Sequence, residues 1–226
     1  MPTASKTTAP PALAPGAAAV RPAIPKANRR ATQAADTRAH IVTTAGRLFE
    51  ANGYVRTTID AVAAEAGVAL QTVYNSVGNK AALLSAVLDA AASGPGARQV
   101  LELMQERTRN APDLDSLMVV LADWFVEVHR RTGRIMGVIS QAAAVDTDVA
   151  ALEQRRALQR LEHYHEAAAA VRERGGLTSD MTDGEAAAAI WSLGHPQTFR
   201  ALVGASGWTV EAYRDWILRA LTAALD

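Results

Sequence analysis

Residues Thr58 to Val77 read TIDAVAAEAGVALQTVYNSV, and the spacing within this stretch decides the fold. Ile59, Val62 and Ala63 precede Gly67, and Leu70 and Val73 follow it, so two short helical patterns meet at a glycine. Glycine adopts the left-handed backbone of a tight turn at little cost. Ala63, four residues before the glycine, is small enough for a second helix to cross the first, and Val62, Val68 and Val73 supply a core that holds the pair at one angle. The spacing therefore predicts a helix-turn-helix. Its second helix leaves Gln71, Thr72, Tyr74 and Asn75 free, all hydrogen-bonding side chains able to meet bases or phosphates. A glycine turn between two apolar helices also occurs in plain helical bundles. The hairpin alone leaves DNA binding and simple packing both open.

Working outward, Ile41, Val42, Ala45, Leu48 and Phe49 form one helical stripe, with Asp36 as expected N-cap and Asn52-Gly53 as the stop. Thr57 and Asp60 have capping-box spacing for the next helix. A third helix is expected over Leu70 to Ser76, broken by Gly78-Asn79. A fourth opens at Lys80 with Leu83, Leu84, Val87 and Leu88 on one face. Residues 1–34 hold six of the nine prolines and little that packs, which predicts a disordered arm. The head is then expected over 35–92, and Ser93-Gly94-Pro95-Gly96 marks its boundary with a helical region over 97–226. There the periodicity predicts helices over Leu114 to Val128, Ile135 to Val145 and Asp148 to about Arg174. Another is capped by Thr182 with Glu185 and interrupted at His195-Pro196. A last one carries Val210, Tyr213, Ile217, Ala220, Leu221 and Ala224 as a seam for a partner helix. The fold class expected is all-α.

Composition agrees. The chain has 226 residues, 49% of them hydrophobic, enough for a substantial core. Alanine fills 49 positions and aromatics only 5%, a balance that favours helices over strands. The absence of cysteine excludes disulfide scaffolds, thiolate metal sites and cysteine nucleophiles. No run approaches the ~20 apolar residues of a membrane helix, so no membrane partner is expected. Pro10, Pro11 and Pro15 interrupt any signal-peptide core, and a cytoplasmic location is expected. The net charge of zero is uneven: residues 1–92 carry nine Lys/Arg against five acids, which points a polyanion towards that end.

Enzyme patterns fail. Glu162-His-Tyr-His165 offers a single Glu-x-x-His step, where a di-iron bundle needs two and further glutamates. His163 and His165 fall on different faces of a helix, so no metal and no cofactor is expected. Gly204-Ala-Ser206-Gly207 lacks the spacing of a nucleophile elbow.

Ile41, Ala45, Leu48, Phe49, Gly53, Tyr54, Thr57, Thr58, Ile59, Val62, Ala63, Ala66, Gly67, Val68, Thr72, Val73, Tyr74, Lys80, Leu83 and Leu84, in this order and spacing, resemble the N-terminal signature of the TetR family of transcriptional regulators. The chain departs from it at Val77, where many members have phenylalanine, at Gln71, where glycine is common, and at Asn75 and Ser76, where an aromatic-histidine pair is frequent. These departures bear on the DNA sequence read. The resemblance implies that Thr58, Tyr74 and Lys80 contact phosphates, with Ala69, Gln71, Thr72 and Asn75 on the recognition face. Arg21, Lys26, Arg29 and Arg30 then become candidates for a supplementary arm. The resemblance also implies a homodimer, closed here by Trp191, Tyr213, Trp216, Ile217 and Leu221, and a helical domain that encloses a small-molecule effector. Met104, Met118, Trp124, Phe125, His129 and Met136 are the expected lining, since Met and aromatic side chains adapt to apolar ligands. The implied function is a repressor binding a palindromic operator. The alternative is a helical ligand-sensing or protein-interaction module without sequence-specific DNA binding.

Overall fold

The computed structural model describes residues 26–93, 100–177 and 180–225. The helices are α1 (Lys26–Arg56), α2 (Ile59–Glu65), α3 (Leu70–Val77), α4 (Lys80–Ser93), α5 (Val100–Asn110), α6 (Leu114–Ala143), α7 (Thr147–Glu173), α8 (Asp183–Leu193), α9 (Pro196–Phe199) and α10 (Val210–Leu225), with a π-helical segment over Arg200–Ala205. Among the described residues there is no strand, and the expected all-α class holds.

The arm expected over 1–34 lies outside the described residues as far as 25. From Lys26 onward it is helix instead, and Asp36, expected as the cap, is interior to α1. Ala27, Ala31, Ala34 and Ala35, with Arg and Gln between them, are strong helix formers and carry the helix back beyond the first core residue. The stop at Asn52-Gly53 is real: Gly53 has φ +75°, and the backbone turns there before Tyr54. Ile41, Ala45 and Phe49 of α1 are completely buried with Val62, Val73, Leu83 and Leu84, which makes the head a packed unit.

Two helices expected over 114–128 and 135–145 are one. α6 is 30 residues long, capped by Asp113, whose side chain accepts from the Ser116 amide at 2.8 Å. Gly133 and Gly137 do not break it. Each interior glycine costs about 1 kcal/mol against alanine, and a Cβ at either would make only ordinary contacts. A Cβ on Gly133 would lie 4.0 Å from Phe199, and one on Gly137 would lie 3.6 Å from the Arg200 guanidinium. The amino-terminal half of α6 (Leu117, Leu121, Phe125) packs with α7, α8 and α10, whereas Ile135, Met136, Val138, Ile139 and Ala142 belong to the core of the head. The core of the first four helices thus includes residues of α6, far beyond the boundary expected at Ser93 to Gly96.

In the body, α7 and α8 approach closely through Ala167, Ala168, Ala186 and Ala187, all buried. Thr182 and Glu185 form the expected capping box at the start of α8. Pro196 opens α9 at its first position, with His195 as the cap, its Nδ1 accepting from the Gln197 amide at 3.2 Å. Gly194, between these helices, has the Phe125 ring where a side chain would begin. Gly194→Ala therefore forces that ring aside, and urea unfolding is expected to show a loss of about 3 kcal/mol.

Candidate nucleic-acid interface

The exposed surface of the helix-turn-helix is set by a few local contacts. Thr57, only 2% exposed, donates its hydroxyl towards the Gly53 carbonyl at 2.8 Å and the Leu48 carbonyl at 3.1 Å, pinning α2 to the end of α1. The capping box expected of Thr57 and Asp60 is therefore not formed. Thr58 is the N-cap, its Oγ1 accepting from the Ala61 amide at 3.1 Å. Gly67 turns with φ +64°, and the Val68 amide then donates to the Ala63 carbonyl at 3.0 Å. That places α3 with Val73 and Val77 inward and Gln71, Tyr74 and Asn75 exposed. Arg38 of α1 donates to the Ser76 carbonyl and fixes the far end of α3.

Of the residues expected at DNA, Thr58, Ala69, Gln71, Tyr74 and Asn75 are exposed, Tyr74 by 46%, and Thr72 and Lys80 are half-buried. Ala69 caps α3 without a side-chain hydrogen bond, so its methyl group does not block the first amides of the helix. Gln71 and Asn75 are one turn apart, and the Gln71 amide donates to Asn75 Oδ1 at 2.9 Å. This pairing leaves the Gln71 carbonyl and the Asn75 amino group outward, an acceptor and a donor held together. Lys80, first residue of α4, lies over the Tyr54 ring with Nζ 4.0 Å from its centroid. Tyr54 in turn donates to Asp146 Oδ2 at 2.7 Å, just ahead of α7. Burial, then the hydrogen bond to Asp146, push the Tyr54 phenol up, so it remains a donor at every ordinary pH. Partial burial lowers Lys80. Tyr54 and Asp146 were given no role by sequence spacing, because 92 residues separate them.

The expected ligand lining divides. Met104, Met118, Trp124 and Phe125 share one core in the body, with the His129 ring stacked on Phe125, but Met136 belongs to the head's core, on the half of α6 that faces α1 and α4. The expected dimer seam is corrected too. Tyr213, Ile217 and Leu221 are completely buried within the protomer, because α10 packs this stripe against α6. Trp191 and Trp216 keep partly exposed faces, and Trp208, edge-on to Trp216 at 6.5 Å, is 37% exposed.

Residues 41–87 match the profile described as bacterial regulatory proteins, tetR family. Comparison with curated proteins gives no match. Among solved structures, SmeT, the repressor of the Stenotrophomonas maltophilia multidrug efflux pump SmeDEF, superposes with a TM-score of 0.61 at 20% identity over 84% of this chain and 93% of that one. Its triclosan complex gives 0.67 at 20% identity, covering 84% and 91%. NalD, the secondary repressor of the MexAB-OprM multidrug efflux pump in Pseudomonas aeruginosa, gives 0.66 at 21% identity, covering 86% and 98%. At such identities the superpositions speak for a shared fold, and the match over residues 41–87 shows that the head is similar to that of bacterial regulatory proteins of the tetR family.

Two measurements test the geometry described. Gly67→Ala puts a Cβ at φ +64° and is expected to cost the head about 1 kcal/mol, read by thermal unfolding. His129 is 4% exposed, accepts no solvent, and pairs its Nε2 with the Gly194 carbonyl at 3.0 Å; burial lowers its pKa from 6.5 to about 4. Between those values the unfolded chain takes up a proton that the native imidazole refuses, so stability is whole above pH 6.5 and falls as pH drops towards 4. His129→Gln should remove up to about 3 kcal/mol of that pH-dependent loss in urea titrations.

Proposed function

We propose that this protein is a cytoplasmic repressor that binds a palindromic operator as a homodimer and leaves it when a small molecule binds the helical body. The observation that carries the DNA reading is the exposed face of α3, with Gln71, Tyr74 and Asn75 outward and Lys80 opening the next helix. Lys80 and Tyr74 supply phosphate contacts, and the α4 amino terminus adds its positive end. The outward acceptor of Gln71 and donor of Asn75 match the N6 amino group and N7 of adenine in the major groove. Two copies related by a two-fold axis read two half-sites. The partly exposed Trp191, Trp208 and Trp216 are large apolar surfaces on α8 and on and beside α10 and support dimerisation there.

Repression is supported by SmeT and NalD, which are repressors, and effector binding by the SmeT complex with triclosan. Within the body, the Tyr213 hydroxyl and the Trp191 indole N–H are buried without a hydrogen-bond partner, donors that an effector with acceptor atoms would satisfy. Such an effector must bind one arrangement of the heads more tightly than the other, otherwise no population moves.

Selection on randomised duplex DNA, with competitor to suppress non-specific binding, tests the reading. An enriched palindrome is expected. Its absence from folded, dimeric protein would favour a sensor that does not read DNA. On the enriched duplex, Gln71→Ala should relax one base position by about 1–3 kcal/mol. Lys80→Ala should instead weaken all sequences alike and reduce the slope of log affinity against log salt by about one. Tyr74→Phe combined with Lys80→Ala should lose affinity while remaining folded.

A further inference from the structure

We propose that Tyr54 is the positioning residue for Lys80, and that Asp146 at the start of α7 holds Tyr54 in place, so that the body sets the reach of a DNA-contacting cation in the head. This rests on the reading of Lys80 as a phosphate contact.

The turn at Gly53, φ +75°, takes Tyr54 out of the line of α1. Its ring is 7% exposed, stacks on Phe49 at 5.9 Å between centroids, and carries the Lys80 ammonium 4.0 Å above its centroid. A ring face holds a cation without using its N–H groups, whereas an ion pair occupies them. Lys80 is thus held in one place with its donors still available to a phosphate. A lysine free on the surface has to lose its rotamer freedom at the moment of contact. The hydrogen bond from Tyr54 to Asp146 sharpens the device, because a phenol donating to a carboxylate has a more electron-rich ring.

Asp146 serves two masters with one carboxylate. Oδ1 caps α7, accepting from the amides of Asp148 at 2.9 Å and Val149 at 3.2 Å, and Oδ2 accepts from Tyr54. Asp146 therefore moves with the end of α7. A second link runs beside it: Asn79, the residue before Lys80, caps α4 through the Ala82 amide at 2.8 Å and donates to Asp148 at 3.3 Å. Displacement of α7 in the body withdraws the acceptor from Tyr54, loosens the ring, and frees Lys80 from its position.

The chain contains three lysines, Lys6, Lys26 and Lys80, so protein with isotope-labelled lysine yields three resolvable side-chain spectra. The Lys80 ε-methylene protons are expected upfield of the other two through the Tyr54 ring current. Tyr54→Leu should abolish that shift, Asp146→Ala should reduce it, and Asp146→Asn, which keeps an acceptor, should restore it. On mixed-sequence duplex DNA at low salt, Tyr54→Leu and Asp146→Ala should each weaken binding about threefold. In a Lys80→Ala background the same changes should do nothing further, a result that a merely structural role for Tyr54 does not produce. The variants at half-buried Asp146 keep the test valid if Tyr54→Leu does not fold. An unshifted Lys80 in the wild type, or equal losses with and without Lys80, would overturn the proposal. If Lys80→Ala itself binds duplex like wild type, the phosphate contact fails first and this inference with it. If Lys80→Ala weakens binding and the Asp146 variants do not, only this inference fails.

Discussion

The four helices of the head do not hold an orientation by themselves; what holds them here is the carboxy-terminal half of α6. Ile135 and Ile139 are 1% exposed and lie in the same cluster as Ile41, Phe49, Leu83 and Leu84. Burying each such side chain stabilises by roughly 1.5–3 kcal/mol, so the head and α6 separate only at a cost comparable to the stability of a whole domain. Leu117, Leu121 and Phe125, about three to six turns earlier on the same helix, are locked into the body. One helix with two cores makes the pose of the recognition helix a property of the body, which is the physical requirement for any effector bound there to act on DNA.

The polar contacts across this junction add direction to that coupling. Arg156 of α7 reaches Asp89 at 2.6 Å and Ser85 at 3.0 Å on α4, and Tyr54 and Asn79 reach Asp146 and Asp148. Exposed pairs of this kind contribute little stability individually. Ser85, Asp89, Asn79 and Asp148 line an open cleft of about 480 Å³ between α4 and α7, walled by Ala81, Ala82, Ala86, Ala151 and Leu152.

The helix-turn-helix was legible because its determinants are local: Gly67 at the turn, Ala63 at the crossing, Val62 and Val73 inward, and four polar side chains left over. The cap at Thr182, the stop at Gly53 and the break at His195-Pro196 follow from neighbours within a few residues as well. Where local signals competed, the reading slipped. Thr57 and Thr58 are adjacent hydroxyls, and only burial of the first against the Leu48 and Gly53 carbonyls decides that the second is the cap. Asp36 looked like a cap because nothing in its neighbourhood shows how far an alanine-rich helix extends backwards.

The amino-acid sequence by itself determined the fold class, the helix-turn-helix and the polar side chains that its second helix exposes, since these depend on periodicity and turn chemistry along the chain. Tertiary structure alone decided that 114–143 is one helix in two cores, that Met136 serves the head, and that Tyr213, Ile217 and Leu221 face α6 rather than a partner. An apolar stripe shows that something will cover it, and carries no mark of what. Likewise the path from Asp146 through Tyr54 to Lys80 joins residues whose chain separation exceeds any local pattern, and only the packing of α1, α4 and α7 around α6 brings them within reach.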